Sequence, residues 1–223
     1  MILHIETATD VCSVVLANDG KVIAFRESAA DRSHASVLSV FIDEVMKEAA
    51  VSFKDLLAVA VSKGPGSYTG LRIGVSTAKG ICYAMNIPLI AVKTLQAMSS
   101  AYLLQFPETP SSTLLLPMID ARRMEVYGAV LNSSLDFLEE VKAEVLTEIS
   151  FMNHHADIIM FGDGAKKAIE VLADKKNVSY NPDFKQSALG LIAPALNAFA
   201  AAQFENTAYF EPFYLKEFIT GAR

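Results

Sequence analysis

The sequence predicts an α/β protein of two lobes, the second a shortened copy of the first. Three observations predict it. The chain opens with three short apolar runs joined by tight turns, and strand-like runs then alternate with helical periodicities. Near the middle, Phe106–Ser112 (FPETPSS) combines two prolines with small polar residues and reads as a linker. Beyond it the opening order returns: IETATDVCSVVL and IDARRMEVYGAVL align as strand, acid, turn, strand, and an internal repeat of this kind marks a duplicated unit. The lobes are expected at residues 1–106 and 113–223.

In order, Met1–Glu6 is short and apolar, as a buried strand would be. Cys12–Asn18 is a second strand, Asn18-Asp-Gly20 a hairpin turn, and Val22–Glu27 a third strand, giving an antiparallel meander. Val37, Leu38, Phe41, Ile42, Val45, Met46 and Ala49 then form one apolar stripe of a helix, with Ser33 as a candidate N-cap. Leu57–Val61 reads as a strand, Leu71–Met85 as a helix, Leu89–Val92 as a strand and Thr94–Leu104 as a helix. That alternation implies parallel pairing with helices on the sheet faces. In the second lobe the expected strands are Leu114–Asp120, Glu125–Leu131, Phe137–Val145 and Ile158–Phe161. Thr147 is a candidate cap for a helix, and Ala165–Ala173 is a helix. Little chain remains after Ala173 for further βα units, hence the expected shortening.

Composition narrows the function. With 223 residues, 52% hydrophobic and 20% charged, the chain can bury a real core. A net charge of -6 argues against the chain alone gripping a phosphate backbone. Cys12 and Cys82 define no disulfide framework and read as buried, reduced thiols. MILHIETATD has neither a basic n-region nor a small-residue cleavage site, so a cytoplasmic protein is expected. Gln186–Phe204 is uncharged, but Leu189, Ile192, Leu196 and Phe199 recur at steps of three and four, the mark of a soluble helix face.

Several clusters are candidates for chemistry or binding. Gly64, Gly66, Gly70 and Gly74 punctuate a strand-to-helix turn that either presents free N–H groups to an anion or is simply a tight turn with glycines at positive φ. The loop matches neither a P-loop nor GxGxxG. The helix after it is unusually small and apolar, with Gly74, Gly80, Ser76, Thr77, Ala78 and Ala84 inside it. It packs either on its own sheet alone or also, with the Val37–Ala49 helix, on a second subunit. The candidate interface residues are His34, Leu38, Phe41, Arg72, Ile73, Ser76, Lys79, Gly80, Tyr83 and Ala84. Glu6, Thr7 and Thr9 in the first turn, with Asp120 at the matching turn of the second lobe, are candidates to face a nucleotide phosphate; they read equally as turn residues accepting backbone N–H bonds. Asp120, Arg122, Arg123 and Glu125 also read as a surface charge network. His154 and His155 are adjacent and cannot face one metal from a helix. No HExxH, CxxC or GxSxG is present.

The segment SKGPGSYTGLRIGVSTAKGICYAMNIPLIAVKTLQAM (Ser62–Met98), the opening LHIETATDVCSVVL, IDARRMEVYGAVL and the tail EPFYLKE resemble the glycoprotease-like family, and within it a branch paralogous to the catalytic one, over essentially the whole chain. The resemblance implies the duplicated actin-like and Hsp70-like fold (ASKHA, ribonuclease H-like). The catalytic branch, TsaD, binds a metal through two histidines in NHLEGH. Here that hexapeptide is KTLQAM, with Thr94 and Met98 at the histidine positions. A third aspartate ligand falls in a region this chain lacks, so the resemblance implies no catalytic metal. TsaD, with a non-catalytic paralogue and the ATPase TsaE, transfers a threonylcarbamoyl group to the adenosine beside the anticodon of tRNAs reading codons that begin with A. The implied role is a non-catalytic partner of TsaD and TsaE, homodimeric in isolation, meeting tRNA only through the complex, with no stable cofactor and ATP or ADP bound only weakly or in the complex. Glu6 stands where many relatives carry Asp. Two other readings compete: an actin-like ATPase or phosphotransferase using Glu6, Thr9 and Asp120, opposed by the shortened lobe, and a metal-dependent glycoprotease, opposed by Thr94 and Met98.

Overall fold

Leu3 and Ile5 point to one side of the first strand while Ile2 and His4 point to the other, and both sides are buried. A strand this apolar on both faces needs cover on both, and the architecture follows from how the chain supplies it. The computed structural model describes residues 1–28, 34–147, 150–151, 153–172 and 175–216. The first sheet is made of β1 (Ile2–Glu6), β2 (Cys12–Asn18), β3 (Lys21–Ser28), β4 (Ala58–Ser62) and β5 (Leu89–Val92), in the order β3-β2-β1-β4-β5. The meander β1–β3 pairs antiparallel, and β1, β4 and β5 pair parallel. The second sheet comprises β6 (Leu114–Asp120), β7 (Glu125–Leu131), β8 (Phe137–Val145), β9 (Ile158–Phe161) and β10 (Val178–Tyr180), in the order β10-β9-β6-β7-β8. Strand for strand this repeats the first sheet, so the duplication is structural.

One face of the first sheet carries α1 (His34–Glu48) and α2 (Tyr68–Met85). Val37, Leu38, Ile42, Val45 and Met46 of α1, with Val75, Ala78 and Cys82 of α2, close over Leu3, Ile5, Val14, Leu16, Val59 and Val61. The other face is covered from far along the chain, by the 3-10 turn Ala188–Leu191 and α5 (Ile192–Ala200). Reciprocally, α3 (Thr94–Gln105) leaves the first lobe and puts Leu95, Met98 and Tyr102 against Leu115, Ile119, Leu131 and Phe161 of the second sheet. The opposite face of that sheet holds α4 (Ala165–Leu172) and Phe151.

The shortening lies elsewhere than expected. The fifth strand, β10, is present; it escaped notice because Val178–Tyr180 offers only three residues. What is reduced is helical cover. The counterpart of the 18-residue α2 is the 8-residue α4, and no helix joins β8 to β9 among the described residues. The helix that Thr147 was expected to cap falls in part outside the described residues; the Thr147 N–H donates to Ser150 Oγ at 3.0 Å. Ser33, the candidate cap of α1, and Ala173, the expected end of α4, lie outside the described residues. Gln186–Phe204 divides into the 3-10 turn and α5, with Pro194 in the first turn of α5, where a missing N–H is tolerated. Its buried side is Ala188, Leu191, Ile192 and Ala195, with Leu189 and Phe199 flanking it. No helix of the described residues is long and apolar enough to cross a membrane. Cys12 and Cys82 are free and buried, and burial pushes both thiols up to about 11.

Two consequences are measurable. Leu38 belongs to the face of α1 that closes the core, whereas Val40 is 48% exposed. Leu38→Ala is expected to cost about 2–5 kcal/mol in urea unfolding, and Val40→Ala less than about 0.5 kcal/mol. His4 lies under α5 beside Ile192 and Leu196, with Nδ1 3.3 Å from the Val15 carbonyl. Burial holds its imidazole down at about 4, against 6.5 for the ordinary group. The unfolded chain therefore takes up a proton below pH 6.5 that the folded chain refuses until about pH 4. Stability is full above 6.5 and falls as the pH drops toward 4, by about 3 kcal/mol. Unfolding of wild type and His4→Leu at pH 7 and pH 4.5 should show a distinctly shallower acid loss in the variant.

Candidate functional site

Ser67 begins α2, its Oγ accepting from Gly70 N at 3.2 Å and its N–H donating to the Ala8 carbonyl at 2.6 Å. Thr7 Oγ1 donates to the Gly70 carbonyl at 2.8 Å. The start of α2 is thus bound to the β1–β2 turn, and a Cβ on Gly70 would stand 2.1 Å from the Thr7 carbonyl oxygen. Gly64, at φ +113°, is the one glycine of the four in the left-handed region. Close backbone approach, more than positive φ, explains the glycine run.

The first turn is committed inward. Glu6 is fully buried, and its carboxylate accepts from Ala8 N at 2.7 Å, from Gln186 Nε2 at 2.7 Å and from Ser62 Oγ. Burial pushes its carboxyl above the usual range while those hydrogen bonds pull the other way. Thr7 is buried with its hydroxyl spent on Gly70, and Thr9 Oγ1 accepts from Val11 N at 3.4 Å. Asp120, by contrast, is exposed and accepts from Arg122 N at 2.6 Å and Lys167 Nζ at 2.7 Å. Both acids accept a backbone N–H two residues on, as turn acids do. The structure does not bring Glu6, Thr7, Thr9 and Asp120 into one open site. The expectation that Glu6 and Thr7 face a ligand is corrected: Ser62, Gln186 and Gly70 use their polar atoms.

Thr94 and Met98 lie one turn apart on the buried side of α3. Thr94 Oγ1 accepts from Gly64 N at 3.0 Å, and Thr94 N donates to the Gly64 carbonyl at 3.1 Å, so this residue ties the glycine loop to α3. Met98 fills the core between Leu95, Tyr102 and Phe161. Neither presents a metal-ligating atom of the catalytic relatives' type, and among the described residues no group of three His, Cys, Asp or Glu could hold a metal. Thr94 and Met98 do not fit the histidine ligation that the resemblance associates with TsaD. His154 bonds Glu139 at 3.0 Å and His155 is exposed, so the adjacent pair diverges.

The helix face is mixed. Arg72, Ser76, Gly80, Tyr83 and Ala84 are exposed on α2, Tyr83 at 86%, and nothing lies within 4 Å of a Cβ placed on Gly80. Leu38, expected on this face, is buried at 2% because it packs onto the sheet; Phe41 and Ile73 are half-buried against the same core. His34 sits at the start of α1 with Nε2 2.7 Å from the Thr9 carbonyl. Val40, exposed on α1, was absent from the expected set because it falls outside the apolar stripe.

The C-terminal strap was also missed. Glu205 N donates to the Leu89 carbonyl and Phe213 N to the Lys63 carbonyl. Lys79 Nζ reaches the carbonyls of Ala208 and Phe210 at 3.3 and 2.8 Å. Arg72 Nε donates to Tyr214 Oη at 3.1 Å, with its guanidinium 4.1 Å from the Tyr68 ring. Arg72 and Lys79 therefore hold the strap as well as bordering the exposed face. The aromatics Phe204, Tyr209, Phe210, Phe213 and Tyr214 were the available signal. Glu217, the last residue of EPFYLKE, lies outside the described residues.

Against known proteins, the chain is 38% identical over 128 residues to the tRNA threonylcarbamoyladenosine biosynthesis protein TsaB of Escherichia coli K12, covering 57% of this chain and 53% of that protein. It is 30% identical over 140 residues to the protein of the same description from Bacillus subtilis 168, covering 63% and 58%. The chain thus spans about half the length of the curated relatives it matches. YeaZ from Pseudomonas aeruginosa superposes with a TM-score of 0.81 at 24% identity, covering 96% of this chain and 99% of that one, which shows that the two share a fold. The sequence profile described as TsaD, tRNA N6-adenosine threonylcarbamoyltransferase, matches residues 27–217, and the chain belongs to that family.

Proposed function

We propose that this chain is a non-catalytic subunit of the cytoplasmic machinery that makes N6-threonylcarbamoyladenosine in tRNA, and that it binds and activates TsaD. The observation that carries the reading is the use of Thr94 and Met98. At the two positions where the catalytic relatives place histidines, one side chain holds the glycine loop and the other fills the core. A family member with those positions spent on structure acts through contact with a partner. The inward commitment of Glu6 supports the same reading over an actin-like ATPase, since the buried carboxylate has no free face for a metal–nucleotide complex. ATP or ADP is bound weakly by the chain alone or only within the complex with TsaD and TsaE.

The partner surface is the outward side of α1 and α2: Val40, Ser76, Gly80, Tyr83 and Ala84, bordered by Arg72, Lys79 and the half-buried His34, Phe41 and Ile73. In isolation a second copy takes the place of TsaD. Gly80 supports this best. An interior helix glycine costs about 0.5–1 kcal/mol relative to alanine, and nothing inside the chain requires it, so close approach of another helix is the return. Two helices side by side supply the roughly 800 Å² per partner of a stable interface.

Gly80→Ala should stabilise the isolated chain by about 0.5–1 kcal/mol in urea unfolding. Gly80→Arg and Ala84→Arg should fold, by circular dichroism, yet lose association with TsaD and with a second copy in sedimentation. Wild-type affinity in both folded variants would place the interface elsewhere. In a reconstitution with TsaD, TsaE, ATP, tRNA and the threonylcarbamoyl donor, the chain is expected to be required but inactive alone. Modified adenosine at full rate without it, or produced by it alone, would refute the subunit role.

A further inference from the structure

The connection between β6 and β7 is built at a cost that its own packing does not explain. Arg122 and Arg123 both lie in the left-handed region, at φ +68° and +53°. That region is left to Gly, Asn and Asp in turns, because a longer side chain crowds the backbone there. Two consecutive arginines in it persist only where the surroundings fix the turn, and here they do. Asp120 Oδ1 accepts from Arg122 N, and Lys167 Nζ binds both that carboxylate and the Arg123 carbonyl, at 2.7 and 2.8 Å. Asp163 Oδ1 accepts from Asp120 N at 3.1 Å, and Leu146 N donates to the Met124 carbonyl at 2.9 Å. The two flanking acids are neutralised by lysines, Asp120 by Lys167 and Glu125 by Lys216. Both arginines are exposed, and among the described residues neither guanidinium has a hydrogen bond or ion pair. A braced, strained tip thus presents two uncompensated guanidinium forks on a chain whose net charge is -6.

We infer that the Arg122–Arg123 tip binds phosphate groups of an RNA backbone. Guanidinium forks match phosphate oxygens in geometry and charge. The tip belongs to the second lobe and the α1 and α2 face to the first. The inference rests on the subunit reading, which supplies tRNA as the RNA. It assigns this chain a positioning contact while the partner carries most of the affinity.

The test uses the assembled complex with TsaD and TsaE and an unmodified tRNA transcript, with binding measured across a salt series. Three forms are compared: wild type, Arg122→Asn with Arg123→Gly, and Arg122→Lys with Arg123→Lys. The Asn–Gly form suits positive φ, so its melting temperature should rise, while tRNA affinity falls roughly tenfold and the slope of log K against log salt becomes shallower by about two. The Lys–Lys form should keep most of the slope. A lower melting temperature in the Asn–Gly form would mean the arginines serve the fold and would sink the inference. Unchanged tRNA affinity and slope, reduced association with TsaD, or a loss confined to ATP binding would each overturn it. If omitting the wild-type chain changes neither tRNA binding nor modification, the subunit reading fails and takes this inference with it; dependence on the chain with unaffected variants rejects the inference alone.

Discussion

After β5 the chain leaves the first lobe and α3 covers the second sheet; after β10 it returns, and residues 188–200 cover the first. Each sheet therefore owes one of its two apolar covers to the other lobe. Removing Leu95, Met98 and Tyr102 from the second sheet, or Leu191, Ile192 and Ala195 from the first, would expose side chains worth about 1.5–3 kcal/mol each for the larger ones. Neither sheet is closed alone, and the relation between the lobes is fixed by the packing that completes their cores. Gln186, just before the returning segment, donates to Glu6 at the end of β1, so the exchange also sets the polar floor between the lobes.

That floor closes the turn after β1. The first turn has filled its side with its own contacts: Glu6 with Ser62, Gln186 and Ala8, and Thr7 with Gly70. The glycine loop is bound to Ala8 on one side and to Thr94 on the other. These polar atoms bind strand, loop and helix to one another. A protein arranged in this way offers its outer surfaces, and the two that stand out are the α1 and α2 face and the braced β6–β7 tip.

The strap formed by residues 205–216 joins these features. It runs from β5 along α2 and past the glycine loop, held by Lys63, Lys79 and Arg72, and then meets Glu125 of the second lobe through Lys216. Its ion pairs, Lys63 with Glu205 and Lys216 with Glu125, are only half-buried and contribute little singly. Its two backbone hydrogen bonds, at Leu89 and Lys63, set its path.

Strand and helix identity was legible in the sequence wherever the period was long enough. Cys12–Asn18, Leu89–Val92, Leu114–Asp120, Glu125–Leu131, Phe137–Val145 and Ile158–Phe161 stand at the expected bounds, because local apolar patterning and turn residues decide them. The repeated acid-and-turn segments likewise announced the duplication. The face that each helix presents was not legible. Leu38 and Tyr83 are both apolar residues on apolar helices, and only the sheet beneath them makes one core and the other surface. Nor could periodicity show that Glu6 would find Gln186, 180 residues away, or that Arg72 would hold Tyr214. By itself the sequence determined most of the elements, their order and the residue types at positions 94 and 98. Tertiary structure decided which polar groups were spent and which were left facing out, because that depends on contacts between residues distant in the chain, and no local pattern encodes them.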